Sequence, residues 1–370
     1  MLAGHATAEG TAAYRARVGA AAAAAHFREW RGLALSSVGL GTYLGEDDEA
    51  TDRAYEQAVA RALALGLNVL DSAVNYRGQR SERAIGSALR GLTASGRVAR
   101  PEVFLATKGG FIPGDSGAAG RGQPAQAYVR AGLATASDIV AGCHCMAPRY
   151  LADQLERSRA NLGVETIDVY YLHNPETQLQ EVDRRTFLAR IRAAFELLES
   201  AVAAKRVRWY GAATWTGFRG EPSAADYLSL AELTEAATAV GGKDHHFRVI
   251  QLPYNLGMTE AFTTRNQRAG REQVSLLEAA RRMDVYVMTS ASIYQGRLAR
   301  GLPPVIAEFL PGLDTDAQRA LQFVRSTPGV GTALVGMARA GHVEENARVR
   351  AVAPLPWPEF QRLFQGEESA

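Results

Sequence analysis

The sequence is poor in cysteine and carries almost no net charge. Only Cys143 and Cys145 are cysteines among 370 residues, which is too few for a disulfide framework and favours a reducing, cytoplasmic setting. Lys and Arg total 41 against 39 Asp and Glu, a formal charge of +2. Because no dense basic block is present, neither nucleic acid nor an anionic membrane is an expected partner.

Long hydrophobic runs are also missing. No apolar run approaches the roughly 18 residues of a spanning helix. The alanine run at positions 20–25 follows Arg15 and Arg17, but a secretory signal needs a more hydrophobic stretch than alanine provides. We therefore predict an N-terminal extension, residues 1–32, that contains an Ala-rich helix.

The rest of the chain alternates between two patterns: a short apolar segment and a longer segment with a 3.6-residue period. Predicted strands cover residues 38–42, 68–71, 103–108, 167–173, 207–213, 247–252, 285–290 and 332–336. Predicted helices cover residues 47–65, 81–92, 149–162, 184–205, 224–240, 272–283, 314–326 and 342–352.

Eight strand–helix units favour a closed α/β barrel, the (β/α)8 or TIM barrel, over an open doubly wound sheet. The strands are continuously apolar, as expected for strands buried on both faces. We assign the barrel to residues 33–353 and a C-terminal tail to 354–370. A long insertion at 109–148 follows the third strand, so it should emerge at the catalytic face as a lid or substrate-binding element.

Polar side chains end three successive predicted strands. Asp71 ends the second strand, Lys108 the third and His173 the fourth, and Tyr76 follows Asp71 by five residues. Singly, each has an ordinary structural explanation, such as a helix cap, a solvated charge or a core histidine. Together they predict a catalytic site, because parallel strand ends converge on one face of a barrel.

These residue types suit proton transfer coupled to hydride transfer. A free tyrosine titrates near pKa ~10, and an adjacent ammonium such as Lys108 favours its phenolate. Asp71 would pair with Lys108, and His173 would hydrogen-bond the substrate oxygen. Tyr76 would then deliver the proton to a carbonyl as hydride arrives.

The motifs that carry these residues resemble those of the aldo-keto reductase superfamily, over roughly residues 33–352. They are VGLGTYLG, GLNVLDSAVNY with SERAIGSAL, VFLATK, TIDVYYLHNPE, QLPYN and HVEENA. The resemblance implies a barrel that binds NADPH across its C-terminal face without a Gly-rich loop. The lack of a GxGxxG motif therefore does not argue against a nicotinamide cofactor.

The same resemblance implies cofactor contacts. Asn174 and Gln251 correspond to contacts on the carboxamide side, and Glu345 and Asn346 to the pair near the adenine. A strand-end amide such as that of Gln251 can hold a carboxamide, or it can simply satisfy backbone groups.

The chain departs from the family pattern after two strands. A serine–asparagine pair is replaced by Ala213 and Thr214, followed by Trp215, and Thr289 stands where a tyrosine would stack on the nicotinamide. Thr214 and Ser290 keep hydrogen-bonding groups at these positions. Trp215 is either the substitute stacking residue or a wall of the substrate pocket.

The expected 2′-phosphate site also differs, since Gly336 and Met337 occupy the position of the usual basic residue. Arg339 and His342 lie nearby and can supply charge, and arginine suits phosphate geometry. We therefore predict NADP(H), with NAD(H) as the alternative.

The insertion contains a Cys143-His144-Cys145-Met146 segment. Thiols, imidazole and thioether can bind a soft metal, but a closed zinc site needs about four ligands and no second cluster completes this one. We predict no metal and expect His144 to lie at the substrate opening.

The functional hypothesis is an NAD(P)H-dependent oxidoreductase acting on a small carbonyl or alcohol, with Tyr76 as proton donor. The altered cofactor contacts support an alternative, a barrel retained as a nucleotide-binding or regulatory subunit without turnover. A third hypothesis, proton transfer without net redox chemistry, explains the four side chains less well.

Overall fold

The computed structural model describes residues 1–114 and 124–365, and within them eight parallel strands close into a barrel. Each strand pairs with its successor in the chain, and the last pairs with the first. This confirms the predicted (β/α)8 barrel. The strands are Val38–Gly41 (β1), Val69–Asp71 (β2), Phe104–Gly109 (β3), Ile167–His173 (β4), Val207–Ala213 (β5), Phe247–Pro253 (β6), Tyr286–Ser290 (β7) and Thr332–Gly336 (β8).

A helix follows each barrel strand on the outside. These helices are Glu49–Ala64 (α1), Arg80–Ala94 (α2), Pro148–Leu162 (α3), Arg184–Ala203 (α4), Leu230–Gly241 (α5), Leu276–Arg282 (α6), Asp316–Ser326 (α7) and Ala340–Ala347 (α8). Further helices lie at Ala8–Val18, Pro124–Arg130, Glu260–Thr263, Pro304–Phe309 and Trp357–Gln361. Three hairpins pair Phe27–Trp30 with Leu33–Ser36, Ile139–Val140 with His144–Cys145, and Gln267–Ala269 with Glu272–Val274.

Local sequence explains why these elements begin and end where they do. All seven residues of β4 are buried, as a strand covered on both faces requires. The Asp48 side chain accepts from the Thr51 N–H at 2.7 Å and caps α1. At α3, Pro148 occupies the first turn and Gly163 ends the helix at φ +67°.

Two predicted helices begin later than expected. The fifth starts at Leu230 rather than at residue 224, because the Ser229 side chain caps it by accepting from the Glu232 N–H. The sixth starts at Leu276 rather than at 272, because the preceding residues pair as a hairpin and Ser275 provides the cap. In both cases a serine marks the true start.

The N-terminal helix lies earlier than predicted. It spans Ala8–Val18 and not the alanine run at 20–25, of which only the start forms a short 3-10 turn, Gly19–Ala21. Thr7 caps the helix by accepting from the Gly10 N–H at 3.0 Å, and Gly19 at φ +54° ends it. The caps decide the position here, because a short alanine run has no apolar face to bury.

Residues near the N-terminus close the lower end of the barrel, where the strands begin. The Trp30 ring, on the first hairpin, lies 4.7 Å from the Trp209 ring and 5.1 Å from the Tyr286 ring, measured between centroids. The Ala6 N–H donates to Asp168 at 2.7 Å. The first hairpin crosses the predicted boundary at position 33, because it pairs residues 27–30 of the extension with residues 33–36 of the barrel. The extension is therefore packed into the closed end.

The inserted segment 109–148 returns to the barrel as a hairpin, and residues 115–123 of it lie outside the described residues. The Ile112 N–H donates to the Cys143 carbonyl at 2.8 Å, and the Cys145 N–H donates to that of Gly110 at 2.9 Å. The hairpin therefore extends the chain that leaves β3. The predicted tail is described as far as residue 365, and Phe360 of it is fully buried.

Candidate functional site

Three neighbouring strands bring the predicted residues to one end of the barrel. Asp71 ends β2, Lys108 is the penultimate residue of β3, and His173 ends β4. Because β2, β3 and β4 are adjacent and parallel, these side chains lie side by side at the carboxyl ends of the strands. Tyr76 lies in the loop after β2 and faces the same place.

A buried ion pair forms the floor of the site. Lys108 Nζ donates to Asp71 Oδ2 at 2.7 Å and to the Ser72 carbonyl at 2.7 Å, while Gln251 Nε2 donates to Asp71 Oδ1 at 2.8 Å. Burial lowers the pKa of Lys108, and Asp71 counteracts this. Burial raises the pKa of Asp71, and Lys108 counteracts that. Both carboxylate oxygens therefore have a donor.

An ammonium, a second phenol and an imidazole surround the Tyr76 ring. Lys108 Nζ lies 5.0 Å from its centroid, the Tyr43 ring 5.0 Å and the His173 ring 5.7 Å, both rings edge-on. Burial, followed by the charge of Asp71, raises the pKa of Tyr76 well above its usual value. The pKa of Tyr76 therefore shifts in the direction opposite to the one expected from an adjacent Lys108, because burial and the charge of Asp71 both favour the neutral phenol. The phenol therefore keeps its proton.

His173 is a neutral imidazole with free hydrogen-bonding capacity. Burial, then Lys108 and His144, lower its pKa well below the usual value. Its Nδ1 is buried and has no partner among the described residues. The Phe111 ring packs edge-on against it, with centroids 5.0 Å apart. Because His173 lines the cavity, its neutral ring can hydrogen-bond a ligand there without carrying charge.

Above the ion pair lies a cavity of about 430 Å³. Eight of the predicted site residues line it: Asp71, Tyr76, His173, Asn174, Thr214, Trp215, Gln251 and Ser290. Sequence reasoning missed Tyr43, Leu44, Asn75 and Phe111, together with residues 291–293, 295 and 296 after β7. Their common signal is position, since each comes a few residues after a barrel strand, where TIM-barrel sites form.

The departures from the family pattern leave polar groups facing this cavity. The Thr214 hydroxyl is buried without a partner among the described residues, and so is Oδ1 of Asn75. Thr289 is fully buried and its hydroxyl lies 3.3 Å from that of Ser292. Trp215 is 40% exposed and lines the cavity.

Six predicted residues do not line the cavity, and one of them, Lys108, lies below it in the ion pair with Asp71. His144 is fully buried, with Nδ1 accepting from Gln178 and Nε2 bonded to the His173 carbonyl, so the structure does not support a direct contact with substrate. The other four lie at or on α8: Arg339 and His342 are exposed, Glu345 is half-buried, and Asn346 is buried with Oδ1 unpartnered among the described residues. The end of β8, just before them, does line the cavity.

The described residues contain neither a metal-binding cluster nor a membrane-spanning helix. Within residues 1–114 and 124–365, no three His, Cys, Asp or Glu side chains come together as a metal site would require. No helix in that part of the chain combines the length and the apolar character needed to cross a bilayer.

The fold and the cavity define an α/β-barrel protein with a candidate active site at the carboxyl ends of its strands. A family model described as the aldo/keto reductase family matches residues 37–224, just over half of the chain. This protein therefore belongs to the aldo/keto reductase family, which confirms the resemblance seen in the sequence. A comparison with curated proteins found no match.

Solved structures share the fold at low sequence identity. An aldo/keto reductase from Klebsiella pneumoniae in complex with NADP and acetate is 21% identical over 91% of this chain and 93% of its own, with a TM-score of 0.60. Aldo-keto reductase AKR11C1 from Bacillus halodurans is 20% identical over 91% of this chain and 95% of its own, with a TM-score of 0.61. The glycerol dehydrogenase AKR11B4 from Gluconobacter oxydans is 18% identical over 92% of this chain and 95% of its own, with a TM-score of 0.62. These likenesses show the fold alone.

Proposed function

We propose that this protein is an NADP(H)-dependent oxidoreductase that interconverts a small carbonyl compound and its alcohol, with Tyr76 as the proton donor in reduction. The observation that carries the proposal is the convergence of a protonated phenol, a neutral imidazole and a buried ammonium–carboxylate pair on one cavity. The family and the NADP-bound relative from Klebsiella pneumoniae support the choice of cofactor.

The polar lining fits the carboxamide end of a nicotinamide nucleotide. A carboxamide needs both donors and acceptors, and Asn174, Thr214 and Ser290 offer both kinds. Gln251 donates one amide N–H to Asp71, so its second N–H and its carbonyl oxygen are the parts left for a ligand. We assign the far end of the nucleotide to α8, with Arg339 and His342 near the 2′-phosphate and Glu345 and Asn346 near the adenine.

Within this site, the nucleotide supplies or accepts the hydride when it is bound. His173 donates one ring N–H to the carbonyl oxygen and orients it. Tyr76 transfers its phenolic proton to that oxygen, and the Lys108 ammonium stabilises the phenolate that remains. Asp71 keeps Lys108 charged and in place. In alcohol oxidation the same residues act in reverse.

The first experiment separates binding from turnover. Titration of the purified protein with NADPH and with NADH, followed by tryptophan fluorescence, measures the affinity for each. We expect tighter binding of NADPH, because Arg339 and His342 favour an added phosphate. A panel of aldehydes, ketones and alcohols then tests turnover. Nucleotide binding without turnover across the panel would instead support a regulatory subunit.

The second experiment tests the proton donor. Tyr76→Phe should lower kcat by about 10²- to 10⁴-fold, the usual contribution of a general acid, with nucleotide affinity unchanged. Tyr43→Phe is the matched control, since this tyrosine lines the same cavity and packs against Tyr76. Equal rates for Tyr76→Phe and the unmodified protein would remove Tyr76 from the reaction.

We also propose a reducing, cytoplasmic setting. Cys143 and Cys145 are both free thiols in the structure, as such a compartment would maintain.

A further inference from the structure

A line of hydrogen bonds connects α4, through the inserted hairpin, to the backbone of His173. The Arg190 guanidinium donates to the Gln178 side-chain oxygen. Gln178 Nε2 lies 2.8 Å from His144 Nδ1, and His144 Nε2 lies 2.7 Å from the His173 carbonyl oxygen. Both Gln178 and His144 are fully buried.

The guanidinium of Arg190 fixes which atom donates in each hydrogen bond of this line. A guanidinium has donors and no acceptor, so the oxygen of Gln178 must face Arg190 and its NH₂ group must face His144. His144 Nδ1 is then an acceptor. Burial, which outweighs the bond to the His173 carbonyl, lowers the pKa of His144 to about 4, so the neutral ring carries one proton. That proton is on Nε2 and is donated to the His173 carbonyl.

The peptide group that receives this bond is constrained on both sides. The carbonyl of His173 accepts from His144, and the N–H of Asn174 donates to the Ala213 carbonyl at 2.6 Å. Asn174 has φ +44°, in the left-handed region, which few residues other than glycine and asparagine adopt. Two fixed hydrogen bonds hold the chain in this left-handed turn, where it passes from β4 into the cavity.

The start of the insertion is shaped to allow the bond. Gly110 has φ +141°, and a Cβ there would lie 2.9 Å from His144 Nε2 and 3.0 Å from the His173 carbonyl oxygen. The Phe111 ring packs edge-on against both His144 and His173, with centroids 5.0 Å apart in each case. The insertion therefore packs against the His173 ring through Phe111, which lines the cavity, while His144 lies outside the lining.

We propose that His144 is a positioning residue for His173: its Nε2–H pins the His173–Asn174 peptide and so sets the direction in which the His173 imidazole and the Asn174 amide face the cavity. The inference rests on the proposed function for the consequence in turnover. It gives the Cys143-His144-Cys145 segment a role that is neither a metal site nor a substrate contact.

Two substitutions at one position test this role. The amide nitrogen of His144→Gln reaches about as far as imidazole Nε2, whereas that of His144→Asn stops near the place of Nδ1. His144→Asn should therefore lower kcat by about tenfold to a hundredfold, the range expected when a reacting group is misplaced by up to ~1 Å, with little change in KM. His144→Gln should restore most of kcat. Cys143→Ser, at an exposed neighbour, is the control and should match the unmodified protein.

A measurement without turnover distinguishes this proposal from the proposed function. NMR of protein labelled with ¹⁵N-histidine reports the tautomer of each ring. We expect His144 protonated at Nε2, and His173 resonances that shift in His144→Asn but not in His144→Gln or Cys143→Ser. A His144 ring protonated at Nδ1, or unchanged His173 resonances in His144→Asn, would overturn the positioning role. If no carbonyl or alcohol is turned over, the proposed function fails, and these spectra still decide the role of His144.

Discussion

The two ends of the barrel each contain a buried ion pair with the same nitrogen–oxygen distance. Lys108 and Asp71 lie 2.7 Å apart at the open end, and Arg100 and Asp168 lie 2.7 Å apart at the closed end. All four side chains are at most 6% exposed. Asp168 also accepts from the backbone N–H of Ala6 and of Leu105, so its partners belong to the fold.

What surrounds the two pairs is different. Polar atoms without partners among the described residues occur at both ends, for example Nε1 of Trp30 at the closed end and the Thr214 hydroxyl at the open end. The closed end is filled by aromatic rings, whereas Asp71 lies under a cavity together with Tyr76. A buried ion pair therefore indicates a functional site only when groups that can exchange protons face open space beside it.

Matched substitutions in the two pairs should separate stability from activity. Asp71→Asn and Asp168→Asn each leave a buried cation without its anion, and each should lower the free energy of unfolding by about 3–5 kcal/mol. Only Asp71→Asn should also lower kcat, by on the order of 100-fold, because Lys108 would lose its charge and position beside Tyr76. Urea unfolding measures the change in stability and steady-state kinetics measures kcat, both at pH 7.

The contrast depends on folded protein, so activity is compared per folded molecule at a temperature well below both unfolding midpoints. Equal losses of kcat in Asp71→Asn and Asp168→Asn would mean that the two ends do not differ in function.

Acid should lower the stability of the protein through a buried histidine at the closed end. His26 contacts the Gly66 carbonyl at 2.9 Å, and burial lowers its pKa to about 4. In the unfolded chain its pKa is near ~6.5, so the unfolded state binds the proton first as pH falls. The stability is complete above pH ~6.5 and should fall by about 2 kcal/mol at pH 5 through this residue.

The check is urea unfolding of the parent and of His26→Gln at pH 7 and pH 5. The variant should show a pH effect smaller by about 2 kcal/mol, while kcat per folded molecule stays that of the parent. An identical pH effect in both proteins would exclude His26 as the source.

The smallest effect is expected at the rim of the open end. Trp215→Ala removes a ring that is 40% exposed and lines the cavity, and a partly buried ring contributes about 1 kcal/mol to binding. KM should therefore rise by several-fold, with little change in kcat or stability. Trp357→Ala, at a 49% exposed tryptophan away from the cavity lining, is the control and should leave KM and kcat unchanged. A lower kcat with unchanged KM in Trp215→Ala would argue against Trp215 as a wall of the substrate pocket.

The sequence predicted the barrel well because its strands are fully buried and their apolar runs have no competing interpretation, as at β4. It also predicted the pairing of Asp71 with Lys108, since adjacent parallel strands must bring their carboxyl ends together. The bond from Gln251 to Asp71 was missed, because β6 lies across the barrel from β2 and strand order alone does not reveal contacts across the interior.

Other errors have local physical causes. The N-terminal helix was placed on the alanine run because composition outweighed the Thr7 cap and Gly19. The pKa of Tyr76 was expected to fall, because a sequence shows charged neighbours but not the desolvation that opposes them. His144 was expected at the substrate opening, because the backbone bonds that turn the inserted hairpin inward have no signature in the side-chain pattern.

The anchoring of Ala6 on Asp168 bears on the order in which the protein can assemble during synthesis. The two residues are 162 positions apart, and the Leu2 N–H likewise donates to the Gly163 carbonyl at 2.6 Å. The segment around Leu2 and Ala6 therefore leaves the ribosome long before Gly163 and Asp168, on which it docks, have been synthesised. Trp30 stays exposed to water for longer still, because the Trp209 and Tyr286 rings that it contacts belong to β5 and β7. During this interval the nascent chain is most open to aggregation or to capture by a chaperone.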